Sequence, residues 1–271
     1  MKIGLIDSGI GGLSVLHEAY HRLPGQEYLF FADVEHVPYG EKTPLQITGY
    51  MIENAQFLID KGAEALVVAC NTATSVAIKE LRSRFSIPIL GMEPAVKPAV
   101  EETEKKRIMV IATPVTIRED KLKSLLHRVD EEHRVDLLPM PRLVEFAEKE
   151  VFDGPEVEAY IRDQFRTFNK ADYCALVLGC THFNYFKPAF RDYFGAGTLL
   201  IDGNHGTVRH LADVLGLNIN QQHTEVFFES YHNMLCQTKT EYYFSKKLIN
   251  DEKTLEHLKR LHNRLEQVRN V

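Results

Sequence analysis

Ala65-Leu66-Val67-Val68-Ala69-Cys70-Asn71-Thr72-Ala73-Thr74-Ser75 is the stretch that decides the fold. Its first five residues form an apolar run too short for a helix, and the run stops abruptly at Cys-Asn-Thr. A helical pattern over residues 75–85 follows. A short continuous apolar run that opens directly into a helix reads as a parallel strand buried on both faces, feeding a crossover. The same grammar recurs at residues 2–6, 28–32, 108–112, 174–178 and 199–201. Amphipathic segments such as residues 45–61 supply the helical connections that parallel strands require. The predicted fold class is α/β with parallel sheets.

The runs also repeat. Ile3-Gly4-Leu5-Ile6-Asp7 parallels Ile108-Met109-Val110-Ile111-Ala112, and Leu66-Val67-Val68-Ala69-Cys70 parallels Leu176-Val177-Leu178-Gly179-Cys180, at nearly equal offsets. Two related halves facing one cleft are therefore expected, and 271 residues suit two modest cores better than one. The charged stretch at residues 101–107 suits a helix end leading into the second half, with the boundary near residues 94–98. The expected division is a first α/β domain of residues 1–96 plus 206–271, carrying Asp7, Cys70 and the C-terminal helix, and a second of residues 97–205, carrying Glu148, Cys180 and His182. That C-terminal helix is marked by Leu255, Leu258, Leu261, Leu265 and Val268 at spacings of three and four. Packing on its own half is the default use of such a stripe, and a homodimer contact is the alternative.

Composition removes several function classes. The formal net charge is −6 and there is no long basic run, so nucleic acid is not an expected partner. No apolar stretch approaches a membrane span, and residues 3–6 are too short for a signal-peptide core. The four cysteines, Cys70, Cys174, Cys180 and Cys236, show neither CxxC pairing nor the density of a disulfide scaffold, which fits a reducing cytoplasm with free thiols.

A lone cysteine after an apolar run is usually a small core residue. Two at equivalent strand ends are a different observation. Each sits at the carboxyl edge of a sheet, where ligands bind in open α/β folds, and at a helix start whose free N–H groups favour thiolate and can hold a carboxylate. Removing a proton from one face of a carbon and returning one to the other face needs a base and an acid on opposite sides. Two thiols, with an unperturbed pKa near about 8.5, can exchange those roles near neutral pH. Asp7 and His182 are the candidates to tune Cys70 and Cys180 respectively. Cys174, at a strand start, and Cys236, in a polar stretch, are read as structural.

At these residues the chain resembles the glutamate racemases of the aspartate/glutamate racemase family. The motifs are Asp7-Ser8-Gly9-Ile10-Gly11-Gly12-Leu13-Ser14, Pro38-Tyr39-Gly40, Ala69-Cys70-Asn71-Thr72-Ala73-Thr74 and Gly179-Cys180-Thr181-His182. The resemblance implies two flavodoxin-like domains with the active site between them. It implies cofactor-independent interconversion of L- and D-glutamate, supplying D-glutamate for peptidoglycan. Cys70 would deprotonate one enantiomer and Cys180 the other, with Asp7 assisting Cys70 and with His182 and Glu148 assisting Cys180. The substrate contacts it implies are Asp7, Ser8, Tyr39, Gly40, Asn71, Thr72, Thr116, Thr181 and His182. The chain departs from the family pattern at Asn184, at Asp202-Gly203-Asn204 and over residues 226–247.

Other readings compete. Aspartate or another amino acid is an alternative substrate for the same chemistry. A cysteine hydrolase using Cys180 and His182 would leave Cys70 unemployed, and a non-catalytic amino-acid sensor would leave both thiols without a task. His17-Glu18-Ala19-Tyr20-His21 matches HExxH, but no extended ligand pattern follows, and a solvated or partly packed helix face is expected there, with no metal. Gly9-Ile10-Gly11-Gly12-Leu13-Ser14 approaches a dinucleotide fingerprint, yet it has Ser14 where the third glycine belongs, and Asp7 would oppose a pyrophosphate.

Overall fold

In the computed structural model, residues 1–103, 106–220 and 238–271 are described. The strands are β1 (Lys2–Asp7), β2 (Glu27–Ala32), β3 (Ala65–Val68), β4 (Ile89–Gly91), β5 (Arg107–Ala112), β6 (Val135–Pro139), β7 (Tyr173–Gly179), β8 (Leu199–Asp202), β9 (Thr240–Phe244) and β10 (Lys247–Leu248). Each run read from the sequence as a strand is one. They form two sheets, ordered β10-β9-β2-β1-β3-β4 and β6-β5-β7-β8, and every pairing is parallel except β9 with β10. Within each half the first four strands stack in the same relative order, second, first, third, fourth. That is the flavodoxin-like winding, and it repeats the internal symmetry of the sequence. Because the strand order reverses beside the first strand of each half, the crevice for a ligand lies at the carboxyl ends of β1 and β3 and of β5 and β7.

The helices that matter for the site are α1 (Leu13–Arg22), α2 (Pro44–Asp60), α3 (Asn71–Arg84), α4 (Val96–Glu102), α5 (Pro114–Arg118), α6 (Asp120–Val129), α7 (Arg142–Glu148), α8 (Pro155–Phe165), α9 (Lys187–Phe194), α10 (Asn204–Leu215) and α11 (Glu252–Val268). Their starts follow local chemistry. Thr43 and Gln46 make a reciprocal capping box at α2 with Pro44 at its first turn, Thr113 caps α5 ahead of Pro114, and Asp251 caps α11. Helix α10 ends on Gly216 at φ 63°, the left-handed cap that glycine adopts without steric cost.

Helix α1 departs from expectation. All ten of its residues are buried, including His17, Glu18, His21 and Arg22. The face expected to meet water is covered by α10 and α11. A stripe reading finds only the face that meets the sheet, and this second cover is a tertiary contribution. Helix α11 buries Leu258, Leu261, Leu265 and Val268, as its spacing predicted, while Leu255 is only partly covered. It packs on α1 and also on the 3-10 turn Thr181–Phe186 of the other half. Truncating Leu261, which is 1% exposed, to alanine is expected to cost about 2–4 kcal/mol in urea unfolding. A cost below about 1 kcal/mol would show that α11 contributes little to the core.

No helix among the described residues is long and apolar enough to cross a membrane. The half-buried Cys174 thiol donates to the Arg107 carbonyl at 3.4 Å, a packing role. Cys236 lies outside the described residues.

Candidate active site

Helix α3 begins on Cys70, whose Sγ accepts a hydrogen bond from Ala73 N at 3.4 Å. Serine, threonine, asparagine and aspartate cap helices better than a thiol does, so the cysteine sacrifices capping strength at a position where its sulfur faces the crevice. Its thiol donates to Ser8 Oγ at 3.7 Å. Asp7, at the end of β1, does not hydrogen-bond the thiol. Its carboxylate accepts from Gly9 N at 3.1 Å and from Thr181 Oγ1, in the opposite half, at 3.2 Å. Burial, the charge of Asp7 and the nearby Cys180 together push the Cys70 thiol up to about 12, although Ala73 N–H and Ser8 oppose the shift. Asp7 itself is raised, chiefly by burial.

Cys180 has a different partner set. Its Sγ meets His182 Nδ1 at 3.7 Å, and His182 Nε2 meets Glu148 Oε1 at 2.6 Å. Burial alone would lower His182, but its contacts with Cys180 and Glu148 raise it well above the ordinary imidazole value. The Glu148 carboxylate in turn accepts from Ile10 N at 2.9 Å, across the crevice. The two thiols therefore sit in unlike settings, one beside a carboxyl and a hydroxyl, the other on an imidazole–carboxylate pair.

The remaining expected residues gather where the two halves meet. Thr72, Thr116 and Thr113 form a hydroxyl triangle with sides of 2.8, 3.0 and 3.3 Å that joins α3 to α5. Asn71 is 4% exposed, and neither its side-chain oxygen nor its nitrogen has a hydrogen-bond partner. A buried amide left unsatisfied on both ends is costly and suits a polar ligand. Gly40 faces Thr113 from the other half, where an added Cβ would lie 3.3 Å from the threonine. The Tyr39 hydroxyl is committed to Asp33, donating at 2.6 Å to a carboxylate that Asn54 also meets at 3.2 Å. Asp33, the acid that a dinucleotide reading would place on a ribose, instead anchors Tyr39.

The glycine-rich turn is explained by close approach. Gly9 has an extended φ of −161°, and Gly11 has no positive φ. A Cβ on Gly9 would collide with the Glu148 carboxylate, and one on Gly11 with the His182 ring and Thr181 Oγ1. The glycines make room for the other half.

Sequence reasoning missed Thr113, Ser14 and Tyr185. Thr113 follows β5 as Ser8 follows β1, so the repeat held that signal. Ser14 Oγ donates to the Thr181 carbonyl at 3.4 Å, and Tyr185 OH to the Ile10 carbonyl at 3.2 Å, both across the halves. Asn184, the departure noted above, donates from Nδ2 to the same Thr181 carbonyl at 3.1 Å.

The elevated Cys70 thiol has a consequence for stability. A thiol raised in the fold keeps its proton where the unfolded chain has lost it. Its contribution is therefore complete below the unfolded value and is lost as pH climbs toward about 12. This one group is expected to steepen alkaline destabilisation by up to about 1.4 kcal/mol per pH unit. In urea unfolding, the stability of Cys70→Ser relative to the parent should rise from about pH 8 to about pH 10.5. A constant difference would mean that the thiol is not raised.

The Asp/Glu/Hydantoin racemase profile matches residues 14–211. The chain is 45% identical over 273 residues to a glutamate racemase of Lachnospira eligens, covering 100% of each chain. The chain belongs to the Asp/Glu/Hydantoin racemase family. Among solved structures of that family, the glutamate racemase of Campylobacter jejuni matches with a TM-score of 0.78 at 28% identity, covering 97% of this chain and 98% of that one. The Escherichia coli glutamate racemase, solved in complex with L-glutamate and activator UDP-MurNAc-ala, matches with a TM-score of 0.76 at 26% identity, covering 92% and 99%. Family membership accounts for the two mirrored halves, each with a cysteine at a strand end.

Proposed function

We propose that the chain racemises glutamate with two thiols, and the observation that carries this reading is the pairing of Cys70 and Cys180 at equivalent strand ends of mirrored halves. With one enantiomer bound, the thiolate of one cysteine takes the α-proton and becomes a thiol. The resulting carbanion then takes a proton from the other cysteine, which becomes the thiolate, so charge and protons balance at each turnover. Both cysteines are only 6% exposed, which keeps water from the carbanion.

The site residues divide by chemistry. His182, held by Glu148, accepts the Cys180 proton and returns it. Asp7 meets the substrate ammonium, whose positive charge offsets the carboxylate that otherwise keeps the Cys70 thiol protonated, and in that way assists Cys70. Ser8, Asn71, Thr72, Thr116 and Thr181, with the backbone at Tyr39 and Gly40, supply donors to two carboxylates, and the start of α3 adds its dipole. No cofactor takes part. A cytoplasmic enzyme of this kind supplies D-glutamate for peptidoglycan, and the apolar stripe of α11 packs on its own chain, so a homodimer would have to form through another surface.

The test is circular dichroism of L-glutamate and, separately, D-glutamate incubated with the purified protein alone, with aspartate in parallel. Both glutamate signals should decay to zero with wash-in of solvent deuterium at the α-carbon. Decay with aspartate alone would reassign the substrate, and loss of signal without deuterium wash-in would overturn the two-base reaction.

A further inference from the structure

The sequence match to HExxH and the burial of α1 meet at one point. His17 and His21 lie one helical turn apart, so their rings leave the same face of α1. Both Nε2 atoms converge on a single oxygen, Glu266 Oε2 of α11, at 2.8 and 2.9 Å. The three donor atoms all lie within 4.8 Å of one another. Two imidazole nitrogens and one carboxylate oxygen are a donor set that zinc and its neighbours take. Around such an ion, tetrahedral donors stand roughly 3.3 Å apart, so each imidazole–carboxylate separation needs to open by only about half an ångström.

The surroundings favour ligation over hydrolysis. The His262 ring stacks on His17 at 5.8 Å and fixes its plane. A surface cavity of about 860 Å³, lined in part by His17, Glu18, Lys187 and Glu266, gives an ion a way in. The glutamate that serves as general base in zinc peptidases corresponds here to Glu18, and it is spoken for by Arg22 at 2.9 Å, His205 at 3.2 Å and Arg269 at 3.5 Å. A cluster of this kind holds two helices together and does not activate water.

We propose that His17, His21 and Glu266 bind one divalent transition-metal ion of the zinc type, which clamps α11 onto α1. The site is separate from the two thiols and does not depend on the racemase reading.

Cobalt(II) and zinc(II) titrations test it, carried out in a Cys70→Ser/Cys180→Ser background so that the active-site thiols cannot capture the ion. One equivalent per chain is expected, with visible cobalt bands of a four- or five-coordinate ion and an X-ray absorption spectrum showing imidazole neighbours. Zinc at about a hundredfold over its dissociation constant should raise the melting temperature by about 5 °C. Glu266→Gln, which keeps an acceptor oxygen but loses the charge, should weaken binding by on the order of 100-fold. If that variant does not fold, His21→Gln and the absorption spectrum of the parent carry the same decision. No stoichiometric uptake, uptake unaffected by either substitution, or a spectrum without imidazole scattering would overturn the proposal and leave a hydrogen-bonded latch in its place.

Discussion

Cys70→Ser and Cys180→Ser are each expected to lower racemisation in both directions by about 1,000-fold or more, because every turnover uses one thiol as base and the other as acid. The informative readout is deuterium. In a single variant the surviving cysteine still faces one side of the α-carbon, and it can remove a proton and return a deuteron to the same face. Cys180→Ser should therefore exchange the α-hydrogen of one enantiomer without inverting it, and Cys70→Ser that of the other. Proton NMR in deuterium oxide, read beside circular dichroism, separates exchange from inversion. If both variants exchanged the same enantiomer, the thiols would not stand on opposite faces of the substrate. If either variant retained full racemisation, that cysteine would have no catalytic task.

Gly11→Ala is expected to reduce kcat by about 100-fold or more while leaving a folded protein. A single methyl placed against the His182 ring and Thr181 Oγ1 must displace them or push the halves apart. Displacements of about 1 Å in a catalytic constellation cost on that order, and the overpacking itself about 1–3 kcal/mol of stability. Gly49→Ala is the control, since an added Cβ there meets nothing within 4 Å and alanine is the better helix residue. Near-parental kcat in Gly11→Ala would mean that the His182–Cys180 contact is not needed for the chemistry.

The fold was legible where strands are buried on both faces. Residues 65–69 and 174–178 announce themselves because nothing polar survives between two layers of helix. The strands that were missed lack that signature. Ile89–Gly91 is three residues long, Val135–Pro139 is a partly exposed edge strand carrying Asp136, and Thr240–Phe244 pairs with β2 more than 200 positions away. No local window records such a pairing. Within the site, the cysteines were legible from symmetry and His182 from its nearness in sequence to Cys180. Glu148 carried no local signal, since it stands on α7 beside Glu145 and Glu150 and differs from them only in what it reaches, and it came from family resemblance. The face bearing His17 and His21, expected to be solvated or partly packed, is fully buried because the helix that covers it lies at the other end of the chain.

That covering arrangement also sets an order of assembly. Strands β5 to β8 lie within residues 107–202, so their sheet can close soon after those residues leave the ribosome. The sheet that begins at the N-terminus is finished last, because β9 and α11 must return to β2 and α1. Synthesis runs from one end and completion of the first half waits for the other, which inverts the usual sequence in which N-terminal units fold first. Until then the apolar surface that α1 shares with Leu258, Leu261 and Leu265 stands open to solvent, and it is exposed apolar surface of this kind that chaperones shield.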